Sequence, residues 1–105
     1  MRDKASAKQD RAARVNASAP WRVTHVRALP HYTIAVGFVD DTTGEVDLSR
    51  LIFGSSAGIF APLRDPVLFA RVAIEDGAVA WPGEIDLAPD AMYDSIRTHG
   101  RWTPE

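Results

Sequence analysis

Between residues 32 and 38 the chain alternates strictly, with Tyr32, Ile34, Val36 and Phe38 set against Thr33, Ala35 and Gly37. A two-residue period of this kind describes a half-buried strand that turns its large side chains to one face. Upstream, Trp21 to Ala28 reads as a first strand whose apolar positions change parity between Val23 and Val26. That change predicts a bulge near Thr24 and His25, where one extra residue restores the inward face. Downstream, Asp40-Asp41-Thr42-Thr43-Gly44 is turn chemistry, and Val46 and Leu48 resume the alternation. Pairing Phe38 with Val46 and Val36 with Leu48 keeps all four on one face, so the pattern predicts a three-stranded antiparallel meander.

The next apolar stretch, Leu51 to Phe60, is interrupted by Gly54, Ser55, Ser56 and Gly58 and has no single period. Arg64-Asp65-Pro66 then predicts a short helix over Pro66 to Ala70, with Asp65 as N-cap, Pro66 in the first helical position, and Leu68 and Phe69 turned inward. Val72, Ala73 and Ile74 meet Ala78, Val79 and Trp81 across Asp76-Gly77, a dipeptide suited to a two-residue hairpin turn. Such a turn sets Ile74 opposite Val79 and Val72 opposite Trp81, all on one face. Trp81-Pro82-Gly83 ends that strand, and Ile85-Asp86-Leu87 is extended. Pro89 opens a last helix reaching Arg97, with Met92, Tyr93 and Ile96 as its apolar stripe. The pattern predicts an α+β fold, a mostly antiparallel sheet of about five strands with two or three short helices packed on one face.

Charge divides the 105 residues unevenly. Residues 1–19 hold Arg2, Lys4, Lys8, Arg11 and Arg14 against Asp3 and Asp10, with six alanines and no aromatic residue. So little apolar surface cannot offset the entropy of ordering, and this segment reads as a flexible basic arm. Residues 20–105 carry seven arginines, no lysine and twelve acidic residues, together with every aromatic side chain. The expected organisation is therefore an arm over 1–19, one compact domain over 20–97 and a tail over 98–105. No apolar run approaches the roughly 20 residues of a membrane span, so no membrane association is expected, and without a secretory h-region the expected compartment is the cytoplasm. The absence of cysteine removes disulfides, thiolate nucleophiles and Cys-based zinc sites, and no cofactor is expected.

Pro62-Leu63-Arg64-Asp65-Pro66, Val79-Ala80-Trp81-Pro82, Ile85-Asp86-Leu87-Ala88-Pro89-Asp90 and Tyr93 together resemble the small bacterial family catalogued as domain of unknown function 2442. The likeness extends upstream through Trp21, Val23, Val26, Tyr32 to Phe38, Asp41 to Gly44 and Val46-Asp47-Leu48, and covers residues 20 to 94. Gly83-Glu84 departs from the Asn-Gly type of turn usual there. The resemblance implies a compact α+β unit of this size. It also implies a regulatory or partner-binding role, since members tend to be encoded beside another short protein, similar to toxin–antitoxin pairs.

Candidate chemistry is thin. Gly54-Ser55-Ser56-Ala57-Gly58 matches a nucleophile-elbow pattern, but Pro62 cuts short the helix that should follow, and no carboxylate orients His25, His31 or His99 as a base. Asp86, Asp90 and Asp94 would share a helical face and with Glu84 suit a hard cation, but Asp86 precedes Pro89, which favours capping. No catalytic or metal-binding set follows. The expected function is a non-enzymatic interaction or regulatory module, the antitoxin-like member of a two-protein pair. Its partner-binding residues would be Arg11, Arg14, Arg101 and Trp102, the last docking either on its own sheet or on another chain. A homodimer is the alternative partner. Two further readings are a small-molecule groove between sheet and helices using Arg64, Asp65 and Asp86, and nucleic-acid contact through the basic arm.

Overall fold

The computed structural model describes residues 19–105, and the basic arm with Arg11 and Arg14 lies outside them. The meander is present as β1 (Val23–Leu29), β2 (Thr33–Phe38) and β3 (Thr43–Asp47). Its bulge falls where parity predicts it: Val23 lies opposite Phe38 and His25 opposite Gly37, which makes Thr24 the extra residue.

The β2–β3 register differs from the expected one. Val46 lies opposite Ile34 and Gly44 opposite Val36, so β3 is displaced by four residues along β2. The turn is tighter than the sequence suggested. Asp41 takes a left-handed backbone (φ 72°), its N–H donates to the Phe38 carbonyl at 2.9 Å, and the Thr42 N–H donates to Asp40 Oδ1 at 3.0 Å. Pairing therefore closes at once, with Gly37 opposite Thr43. An even displacement preserves parity, which is why Ile34, Val36, Phe38, Val46 and Leu48 are all buried despite the new register.

The second hairpin joins β4 (Ala73–Glu75) to β5 (Ala78–Trp81) with Ile74 opposite Val79, as predicted. Asp76 and Gly77 both have positive φ, 52° and 78°, the signature of a type I′ turn. Val79 and Trp81 are buried, but Ile74 remains 36% exposed because β4 is an edge strand.

The single sheet of the sequence reading is in fact two. One has the order β1-β2-β3-β7 and the other β4-β5-β6. Strand β6 (Ile85–Asp86) falls in the stretch read as extended, and β7 (Arg101–Trp102) is an added strand of two residues, too few for any alternation to be read. A backbone bond from Val23 N–H to the Gly77 carbonyl (2.8 Å) ties the two sheets together at the start of β1.

Helices α1 (Ser49–Phe53), α2 (Pro66–Phe69) and α3 (Pro89–His99), with a 3-10 segment at Gly58–Arg64, complete the fold. Asp65 caps α2 by accepting from the Val67 N–H at 2.9 Å. Leu51 and Ile52 of α1, Leu63, Phe69 of α2, and Met92 and Ile96 of α3 pack with the inward faces of both sheets into one core.

Candidate functional site

The helices cover the face of the larger sheet that carries Ile34, Val36, Phe38 and Val46. The opposite face is crossed by two rows, His25–Gly37–Thr43 and Arg27–Ala35–Glu45, read directly from the strand registers. In each row the middle member is small, so the surface dips between longer side chains. The result is an open groove of about 830 Å³, lined by segments of β1, β2 and β3 and by Val72–Ile74. His25 flanks its floor closely: a Cβ on Gly37 would lie 3.4 Å from both Cβ and Nδ1 of His25. The His25 ring is in turn held by Thr24 Oγ1, 3.0 Å from Nδ1. The alternation of β2 had already marked Ala35 and Gly37 as the small half of the strand, and this was the available signal for the groove.

A polar cluster fastens α3 to the β2–β3 turn. The Tyr93 hydroxyl donates to Asp40 Oδ2 at 2.6 Å, and Arg97 Nη1 donates to the Tyr93 oxygen at 3.0 Å and lies 3.5 Å from Asp40 Oδ2. Partial burial alone would raise the Asp40 carboxyl, but hydrogen bonds from Tyr93 and Thr42, with the Arg97 charge, outweigh it and hold Asp40 below its ordinary 3.8. The hydrogen bond to Asp40 likewise pushes Tyr93 above its ordinary 10.0. Asp47 is also lowered, chiefly by hydrogen bonds from the Ser49 hydroxyl and N–H. Asp40, Tyr93 and Arg97 satisfy one another, whereas the Ser49 bonds to Asp47 both fall on Oδ1.

These groups set a pH dependence. A carboxylate lowered in the folded state contributes stability above its unfolded value that is lost as pH falls through the folded one. A phenol raised in the folded state contributes stability that is lost as pH rises through its folded value. Urea midpoints are therefore expected to fall in acid below the ordinary carboxylate value of 3.8 and again in alkali beyond 10.0. Asp40→Asn should flatten both limbs, and an unchanged pH profile in that variant would show that the cluster is energetically silent.

The structure does not assemble Arg64, Asp65 and Asp86 into one groove. Arg64 Nε donates to the Ile52 carbonyl at 2.8 Å and Nη2 to that of Gly54 at 3.4 Å, closing the end of α1. Its own carbonyl accepts from the Tyr32 hydroxyl at 2.7 Å. Asp65 is committed to its cap. Asp86 sits on β6 in a separate groove of about 360 Å³ beside Glu75, Asp76 and Glu84. Ser55 and Ser56 line a groove with Arg50 and Glu105 that contains no histidine. His31 occupies the β1–β2 turn, beyond the end of the strand that carries His25. Asp90 and Asp94 lie on α3 without Asp86, and among the described residues no group of three or more His, Cys, Asp or Glu is placed to hold a metal ion.

A family model described as "Protein of unknown function (DUF2442)" matches residues 23–98, most of the chain. The chain belongs to this family. No curated protein and no solved structure matches it. The match begins with the first residue of β1 and stops in the last turn of α3, so the groove and the Tyr93 fastening belong to the DUF2442 domain and β7 lies beyond it. In this DUF2442 protein, the residues after α3 fold back onto the sheet. Glu45 lies opposite Arg101 and Val46 opposite Trp102, in parallel, and the Trp102 side chain packs half-buried against the core. No helix of the described residues is long and apolar enough to cross a membrane.

Proposed function

We propose that this DUF2442 protein is a non-enzymatic interaction module of a regulatory, antitoxin-like kind, and that the outer face of its larger sheet meets a protein partner in the cytoplasm. The observation that carries the reading is the groove of about 830 Å³ over Ala35 and Gly37, on the sheet face that the described helices leave open. A small-residue floor between a basic wall (His25, Arg27) and a polar wall (Thr43, Glu45) gives this face the shape and charge to seat a partner. The test is affinity purification of the tagged full chain from its own host, with the eluate split with and without nuclease. A single stoichiometric protein that survives nuclease, and is lost in Ala35→Arg while that variant keeps the native melting temperature, supports the reading. A partnerless eluate removes it.

The same groove supports a second reading, a small-molecule site, because its volume falls among those of ligand pockets, on the order of 300–1,000 Å³. His25, Arg27 and Glu45, rather than Arg64, Asp65 and Asp86, would then be the polar contacts. A metabolite that raises the melting temperature of the native chain but not of Ala35→Arg, with an empty eluate, would move the assignment there.

A further inference from the structure

We propose that Arg101–Trp102 is a displaceable strap, and that the edge of β3 beneath it is a binding site for an extended partner segment carrying a basic residue followed by an aromatic one. This deepens the interaction-module reading and rests on it. β7 shows in cis what the edge accepts. Its backbone runs parallel to β3, the Arg101 guanidinium lies 3.9 Å from Asp47 Oδ2, and the Trp102 indole sits beside Val46 against the core. Asp47 is organised for a cation: its Oδ1 accepts from the N–H and hydroxyl of Ser49, at 3.0 and 2.7 Å, which leaves Oδ2 toward the strap. Arg and Trp are also the side chains that most often anchor protein interfaces.

Several features make the strap separable from the body. Its ladder is two residues long and parallel, the less stable pairing per residue. Its ion pairs are solvated, with the Arg101 side chain 52% exposed and the Arg50–Glu105 pair 68% and 71% exposed, and such pairs hold weakly. A hydrogen bond from the Ser95 hydroxyl to the Arg101 carbonyl, 3.1 Å, is one further tether. The strap pivots on Gly100, whose left-handed backbone (φ 81°) ends α3 and reverses the chain. It also lies outside the residues shared with the family, 23–98, whereas the β3 edge lies within them. The edge is thus part of the common body, and the strap is what this protein places over it.

The probe is a labelled peptide of residues 99–105, His-Gly-Arg-Trp-Thr-Pro-Glu, titrated into the full chain and into full-length Trp102→Ala. In the native chain the strap competes at the high effective concentration of a tethered segment, so the variant is expected to bind the peptide roughly tenfold more tightly. Amide signals of Glu45 and Asp47, whose N–H groups face β7 by strand alternation, should move. A peptide with Ala in place of both Arg and Trp should not bind. Equal affinity for native and variant chains, or shifts confined to other strands, overturns the proposal. Should Trp102→Ala fail to fold, Arg101→Glu weakens the strap by repulsion from Asp47 and serves in its place. A dimer of the native chain that disappears in Trp102→Ala would assign the edge to a second copy and overturn the proposed partner. A co-purifying partner whose affinity ignores both variants overturns the strap but leaves the interaction module standing, whereas an empty eluate removes the module itself.

Discussion

Trp81→Ala is expected to lower the thermal midpoint by roughly 20 °C or more, enough to leave much of the protein unfolded under ordinary conditions. Trp81 is only 3% exposed and stacks on Phe69 with ring centroids 5.9 Å apart. Truncating a buried Trp costs about 3–5 kcal/mol in lost transfer energy and cavity. Its Nε1–H also donates to the Phe69 carbonyl at 2.9 Å, and losing that bond, which leaves the carbonyl only the longer one from the Val72 N–H at 3.3 Å, adds about 0.5–1.5 kcal/mol. A domain of this size has only about 5–10 kcal/mol in total. The damage should also spread to the groove. Phe69 packs edge-on against Tyr32 at the β1–β2 turn, 5.2 Å away, so Trp81 links the smaller sheet to the end of the larger one. Trp81→Phe, which keeps a ring but not the N–H, should cost markedly less. Circular-dichroism melts of the two variants decide the matter, and an Ala variant melting within a few degrees of the native chain would show that β5 is not needed by the core.

What the sequence made legible was local. The Asp76-Gly77 turn, the Asp65 cap and the bulge at Thr24 each depend on residues within a few positions of one another, and each stands where the pattern put it. Parity, however, fixes a strand register only to within an even number of residues. Nothing in the alternation could tell Val46 opposite Phe38 from Val46 opposite Ile34; the left-handed Asp41 made that choice. Helix α1 escaped for a different reason. Five residues have little period, and the groups that secure its ends are Asp47, through Ser49, and Arg64, which reaches back twelve positions to the Ile52 carbonyl. Arg64 looked available for a ligand because sequence does not reveal where a long side chain is already engaged. The open sheet face was half-visible, since the alternation showed the small residues of β2, but the flanking pairs His25 with Thr43 and Arg27 with Glu45 come together only through tertiary register.

Gly44→Ala is the second large effect, and it connects stability to the proposed strap. Gly44 stands on the helix-covered face of β3, opposite Val36. A Cβ there would lie 2.7 Å from Ile96 Cγ2, 3.1 Å from Ile96 Cγ1 and 2.9 Å from the Gly100 carbonyl oxygen. None of these can yield cheaply: Ile96 is 3% exposed in the core and the third atom is backbone. The last turn of α3 must therefore lift from β3, an overpacking cost of about 1–3 kcal/mol. Because Gly100 is the pivot of β7, the lift should carry the strap out of register with Glu45 and Val46. The expected result is a thermal midpoint lower by roughly 5–15 °C. Hydrogen exchange at Glu45 and Asp47 should accelerate more than at Ile34 and Val46, and the residue 99–105 peptide should bind more tightly. Gly37→Ala is the control, since its Cβ would meet nothing nearer than 3.4 Å and would project into the outer groove instead. It should leave the midpoint nearly unchanged and weaken the partner that the groove holds. Equal destabilisation by the two substitutions would mean that the glycines matter for strand backbone alone, and that α3 does not rest on Gly44.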